Sequence, residues 1–229
     1  MPKITFGMLC YRDTYITSLM SLLNQEEHDI EVVIYDTSKR DRKLALPKDD
    51  RIRNPIRLDN WWEYQRRILD DANSDIVAFA SDDDYWFPHR ATDILNILGN
   101  PFDNTSIVYA DFYLDKESPD RLKRCYGVND TIAILNPIGA PFSAFNRKTM
   151  RICDIDWDMK DNPIPSDWYF WGQCYFKGLI FQHIKKPAGI YSTQGFSNKV
   201  DFTPQRMAVM QKLAKLRNDW YDKSLKGRL

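Results

Sequence analysis

The sequence predicts an α/β domain with a mainly parallel central sheet flanked by helices. Two patterns carry that prediction. Through the first hundred residues, short apolar runs rich in β-branched side chains alternate with segments whose apolar residues recur at helical spacing. Each apolar run also stops at a polar turn, most abruptly in "IVAFASDDDYWFPHR" (76–90), where Ile, Val, Ala and Phe lead straight into three consecutive aspartates. Strand, helix, strand, helix, strand with short connections is how a helix-covered parallel sheet reads in sequence. A core of that kind is affordable, since 43% of the 229 residues are hydrophobic and 14% aromatic.

The elements follow in order. "ITFGMLC" (4–10) is a first strand ending at polar "YRD". "YITSLMSLLNQ" (15–25) places Ile16, Leu19, Met20 and Leu23 at helical spacing. "IEVVIYDTS" (30–38) is a second strand stopped by an Asp-Thr-Ser turn. A charged, Pro-punctuated connection containing "RIRNPIR" leads to a helix "NWWEYQRRILDDA" (60–72), and then to the strand "DIVAFAS". Beyond residue 100, "SIVYADFYLD" and "RLKRCYGV" read as strands, possible antiparallel partners. "PSDWYFWGQCYFKGL" reads as a helix that Ser166 or Asp167 can cap and Gly178 can end. A last helix opens near Pro204, with Met207, Met210, Leu213, Ala214 and Trp220 on one face. No repeat or linker interrupts the chain. It reads as one domain over 1–229, with a ligand-binding half (1–100) and a second half (101–229) that includes the C-terminal helix.

Composition narrows the function. Lys plus Arg and Asp plus Glu both number 32, which argues against a polyanion as main partner, and the basic "SKRDRK" is offset by acidic neighbours. No nucleic acid is expected. The four cysteines, Cys10, Cys125, Cys153 and Cys174, form no paired motif, which suits a reducing compartment. The N-terminus does not read as a signal peptide, and no apolar run approaches the roughly 20 residues of a membrane helix. The expectation is a cytoplasmic protein, compatible with peripheral attachment at the inner face of a membrane.

A parallel sheet places its ligand at the carboxyl ends of its strands. Tyr11, Asp36 and the triplet Asp82, Asp83, Asp84 all follow strand ends and should therefore share one crevice. Adjacent carboxylates there suit a hard divalent cation, magnesium or manganese, whose remaining positions go to water and substrate phosphates. The competing reading is a solvated acidic turn.

These motifs, in this order, resemble the inverting family 2 glycosyltransferases of the GT-A fold, a Rossmann-like nucleotide-diphospho-sugar transferase architecture. "MLCYRD", "SLLNQ", "YDTS" and "SDDDYWFP" stand where that family carries Tyr-Asn, Ser-Leu-x-x-Gln, Asp-Asp-Gly-Ser and its Asp-x-Asp-Asp-x-Trp-x-Pro metal motif. The likeness is close over the first hundred residues and patchy thereafter. It implies a metal-dependent transfer of a sugar from a nucleotide-diphosphate donor to a glycan or other hydroxyl acceptor; the base contact favours uracil or thymine, and a UDP-sugar is the expected donor. Anchored on Trp86 and Pro88, the resemblance puts Asp83 at the direct metal ligand, Ser81 at the usual first aspartate, and Asp82 near the ribose or at the metal through water. Reading Asp82-x-Asp84 as the motif promotes Asp84 instead.

The resemblance further implies that Tyr11 stacks on the base, that Asp36 accepts a hydrogen bond from its ring N–H, and that Arg57 binds base or phosphate. Asp167, in a segment matching the family's Glu-Asp-Trp, is implied as the catalytic base, with Ser166 where relatives carry glutamate. Asp167 could equally cap its helix. Gln194 stands where many relatives carry a metal-binding histidine. Gly139 would admit a substrate close to the backbone, and Trp168 or Trp171 could stack on an acceptor. His28, His89 and His183 form no ligand pattern. Because Ser81, Ser166 and Gln194 depart from the family pattern, a catalytically degenerate nucleotide-sugar or carbohydrate-binding module is the alternative function.

Overall fold

The protein's structure is a computed structural model describing residues 1–38, 44–59, 63–100, 104–115, 122–123, 125, 127–136, 138–153, 155–156, 166–193 and 203–226. The element order is β1 (Ile4–Cys10), α1 (Tyr15–Leu23), β2 (Ile30–Asp36), β3 (Ile52–Arg57), α2 (Glu63–Asp71), β4 (Ile76–Ser81), β5 (Tyr85–Trp86) and α3 (Arg90–Leu98). It continues with β6 (Ile107–Leu114), β7 (Leu122–Lys123), β8 (Ser143–Asn146), α4 (Arg147–Ile152), α5 (Ser166–Phe176), β9 (Phe181–Tyr191) and α6 (Thr203–Lys226). Two short 3₁₀ turns, Asp130–Ala133 and Ala140–Phe142, precede β8.

Among the described residues nine strands form one sheet in the order β3-β2-β1-β4-β8-β6-β9-β5, with β7 beside β6. β1 pairs in parallel with β2 and β4, and β2 with β3. β8 runs antiparallel to both β4 and β6, so β6 points the same way as β4, and β9 is parallel to β6. Six strands therefore deliver their carboxyl ends to one edge. The sheet runs unbroken through both halves of the chain.

The register sorts side chains to the two faces. Gly7 pairs with Phe79 across β1 and β4. Both face α2 and α5: the Phe79 ring lies 5.5 Å from Tyr64, 5.8 Å from Trp171 and 5.2 Å from Phe145. A Cβ on residue 7 would overlap the Ile68 side chain, so glycine here lets α2 sit directly on the sheet. Phe6 faces the other way, beneath the Arg90 guanidinium of α3.

Three details depart from the sequence reading. "RIRNPIR" contains β3 rather than a connection; β3 is an edge strand, which is where a proline is tolerated. In α1, Leu19 and Leu23 are buried as expected, but Ile16 and Met20 are 40% and 41% exposed while Ser18 and Ser21 turn inward. The α6 face likewise centres on Val209 and Leu213, with Met207 out in solvent. The close of α5 is as read: Gly178 takes a left-handed φ of 82°, and Leu179 N donates to Cys174 O at 3.0 Å. Among the described residues no helix is long and apolar enough to cross a membrane.

Candidate active site

The strand ends that the sequence singles out lie level with one another. Cys10 is in register with Asp36, Asp36 with Arg57, and Leu9 with Ser81. Tyr11, Asp36, Arg57 and the aspartate triplet thus gather along one stretch of the sheet's carboxyl edge.

The three aspartates have three different environments. Asp82 is buried, and its carboxylate accepts the backbone N–H of Tyr11 at 2.6 Å, the backbone N–H of Arg12, and Arg12 Nη1 at 2.7 Å. It thereby pins the turn after β1. Tyr11, whose backbone N–H is held in that turn, is 52% exposed. Asp83 meets the same guanidinium at 2.7 Å. Burial pushes its carboxyl up and Arg12 opposes that shift. Asp84 points inward: it accepts the backbone N–H of Ser192, just past β9, at 2.9 Å, and bonds the Ser81 hydroxyl. Burial first, then the neighbouring Asp83 charge, push Asp84 up to about 7.

On the adjoining strand, Asp36 accepts the backbone N–H of Ser38 at 2.9 Å and Arg57 Nη1 at 3.1 Å. Arg57 is half exposed, while the Asp36 carboxylate it pairs with is buried.

The segment following the triplet is anchored by polar side chains in the interior. Gln25 is buried; its amide donates to Ser21 O and Phe87 O and accepts the Ala91 N–H at 2.9 Å. Trp86 is fully buried, donating its backbone N–H to the Ser21 hydroxyl and its indole N–H to Pro141 O. Those bonds tie "SLLNQ" to the segment after the aspartate motif and give the buried Ser21 hydroxyl a partner. Arg90 is buried between the Phe6 and Trp86 rings and donates to Phe79 O at 2.8 Å and Pro141 O at 2.6 Å. Burial pulls its guanidinium down to about 9, and the Asp84 charge works against that.

Asp167 stands in the first turn of α5, where a carboxylate suits the positive end of the helix. Asn136 Nδ2 donates to it at 2.9 Å, and burial pushes its carboxyl above the ordinary range. Both Asp167 and Asp84 bear electrostatically on the buried Tyr64 hydroxyl, whose pKa is raised by burial first and by those two charges after it.

Several expectations need correcting. Trp168 and Trp171 are not acceptor platforms: both are buried, Trp168 donating to Ile132 O at 2.6 Å and Trp171 packing on Phe79 and Phe170. A Cβ on Gly139 would sit 3.0 Å from the Phe112 ring, so glycine here makes room for that ring. Gln194 lies outside the described residues. Sequence reasoning gave no role to Arg12 or Asn136. It also passed over a hydrogen-bonded pair in the second half, His183 Nε2 and Asp111 at 2.7 Å with the imidazole stacked on Tyr109, because its members are 72 residues apart.

No protein-family model matches the sequence, and no curated protein matches it. Solved structures do. Staphylococcus aureus TarS (residues 1–349) in complex with UDP superposes with a TM-score of 0.71 at 16% identity, covering 93% of this chain and 65% of that one. The mannosyltransferase PcManGT from Pyrobaculum calidifontis, in complex with GDP-Man and Mn2+, superposes at 0.60 and 16% identity over 83% of this chain and 56% of that one. A mycobacterial protein superposes at 0.61 and 13% identity. This chain thus spans about two thirds of the TarS fragment. The likeness shows the fold, that of the GT-A glycosyltransferases.

Proposed function

We propose that the protein is a glycosyltransferase that moves a sugar from a nucleotide-diphosphate donor, a uridine diphosphate sugar, to an acceptor hydroxyl with inversion. The observation that carries this reading is the gathering of an exposed aromatic residue (Tyr11), a carboxylate–guanidinium pair (Asp36 and Arg57) and an acidic motif at one carboxyl edge of a GT-A sheet. Neighbours with this fold hold UDP or GDP-Man in solved structures, one with Mn2+.

In this reading Tyr11 offers its face to the base, Asp36 accepts a base N–H, and Arg57 supports both. A divalent cation fits the donor chemistry of the motif, since Asp83 presents hard carboxylate oxygens and its side chain is 16% exposed. Among the described residues no three His, Cys, Asp or Glu side chains gather to hold an ion. Asp83 would therefore be its main protein ligand, with water and diphosphate completing the shell. Bound there, the cation would offset charge on the leaving diphosphate. Asp84, turned toward Ser192, holds the segment after β9 instead of reaching the cation.

Asp167 acts as base. The acceptor oxygen forms its bond to the anomeric carbon from the face opposite the diphosphate, the carbon–oxygen bond to the diphosphate breaks with its electron pair, and the acceptor proton passes to the Asp167 carboxylate. Burial makes that carboxylate a stronger base than a solvated one.

Calorimetry with UDP, GDP and dTDP, each with and without Mn2+, tests the reading on wild type and Asp83→Ala. Mn2+-dependent UDP binding that the substitution weakens by about tenfold or more supports it. Failure of all three nucleotides to bind under either condition would sink it. Slow Mn2+-dependent hydrolysis of a bound donor then separates an enzyme from a binding module.

A further inference from the structure

We propose that Arg12 is an exchangeable counter-ion for the acidic motif: in the free protein its guanidinium occupies the carboxylates that a divalent cation would use, and cation and nucleoside diphosphate enter together as the guanidinium passes to the diphosphate. The inference rests on the nucleotide-sugar reading above and adds an order of events to it.

The geometry is that of one cation between two anions. Arg12 lies 2.7 Å from Asp82 and 2.7 Å from Asp83, with its side chain 30% exposed. Counting the three groups leaves one negative charge, so a nucleoside diphosphate alone meets like charge here. A divalent cation alone must settle beside a guanidinium already seated on its ligand, which is also like charge at short range. Each ligand therefore removes the obstacle to the other. The diphosphate draws off the guanidinium, and the cation replaces it on Asp83.

The two aspartates are not equivalent in this exchange. Asp82 keeps two backbone donors, the N–H groups of Tyr11 and Arg12, whichever way the Arg12 side chain turns. The turn that carries Tyr11 thus stays in place while the guanidinium moves. Asp83 draws its compensation from the guanidinium, so Asp83 is the carboxylate that the movement frees. Arg12 also directly follows Tyr11 in the chain. A base stacked on Tyr11 would bring its phosphates within reach of the next side chain.

Mn2+ binding, read by the electron paramagnetic resonance of the free ion, tests this on the whole chain. The variants are Arg12→Gln, which keeps length without charge, and Arg12→Lys, which keeps charge. Without nucleotide, Arg12→Gln should bind Mn2+ about tenfold or more tighter than wild type, and Arg12→Lys should stay near wild type. UDP should tighten Mn2+ binding to wild type by a similar factor and change Arg12→Gln much less. Equal Mn2+ affinity of wild type and Arg12→Gln without nucleotide, including no detectable binding by either, overturns the proposal. A gain in Arg12→Gln with no response to UDP, GDP or dTDP upholds the guanidinium's exclusion of the cation and overturns the nucleotide reading on which the order of events depends. A gain shared by Arg12→Lys overturns the charge argument, since bulk or backbone would then be responsible.

Discussion

Asp167 shows how one carboxylate can serve two purposes. Its place in the first turn of α5 favours the ionised form, the Asn136 amide holds it, and burial pushes its carboxyl upward so that it binds a proton more readily. A base acts only when deprotonated, so activity should fall as pH drops through its pKa, and the raised value moves that acidic limb above the range of a solvated aspartate. The pH profile of kcat/KM would show the limb there; a limb at the ordinary carboxylate range would assign the base elsewhere. Asp167→Asn should lower kcat by about 10²- to 10⁴-fold while leaving UDP affinity close to wild type. That the residue was legible in the sequence owes to its motif. Its partner Asn136 was not, because the contact spans 31 residues and an asparagine before a proline reads as a turn. Arg12 was equally opaque: nothing local distinguishes an arginine that salts two carboxylates 70 residues away from one that is merely solvated.

At the level of elements, the first half was readable because each strand and helix carries its own period and ends at its own turn. β5 shows what such a reading misses. Two residues, Tyr85 and Trp86, have no strand signal of their own and become a strand only by pairing with β9, Trp86 opposite Gly189 and Tyr85 opposite Ile190. That pairing fixes the chain immediately after Asp84 and rests on a glycine. A Cβ at 189 would overlap the Tyr85 carbonyl oxygen and come within 2.9 Å of the Phe142 ring and 3.1 Å of Trp86 Cα. Because the obstacle is largely backbone, the strands must separate for the side chain to fit. Gly189→Ala should then cost about 1–3 kcal/mol in stability and weaken UDP binding with it. Gly127→Ala, where a Cβ meets nothing within 4 Å, should stay within about 0.5 kcal/mol of wild type. Urea midpoints for the two variants check this, and a wild-type midpoint for Gly189→Ala would mean that β5 is free to yield.

Over the whole molecule, the candidate site is assembled from chain segments that only the complete sheet brings together. β1 contributes Tyr11 and Arg12, β2 Asp36, β3 Arg57 and β4 the aspartates, and the chain leaving β9 is tied in through Ser192. The parallel half of this arrangement follows from the alternation of strands and helices. The antiparallel insertion of β8 and the position of β9 between β6 and β5 do not, because they depend on pairings between distant parts of the chain that share no local pattern. A ligand that touches all of these strand ends binds the folded sheet and has no counterpart in the unfolded chain. It should therefore stabilise the molecule globally and not merely order one loop. UDP with Mn2+ at about 100 times its dissociation constant should add about 2.7 kcal/mol. For a chain of this size that is a rise in Tm of about 5–10 °C. Asp83→Ala should remove about half of the rise or more at the same concentrations while leaving the unliganded Tm near that of wild type, since Asp83 is a partly exposed side chain whose neighbours Asp82 and Asp84 keep their backbone partners. Differential scanning calorimetry reads both values. If saturating ligand left Tm unchanged, binding would have to lie outside the cooperative sheet, and the strand-end crevice would not be the nucleotide site.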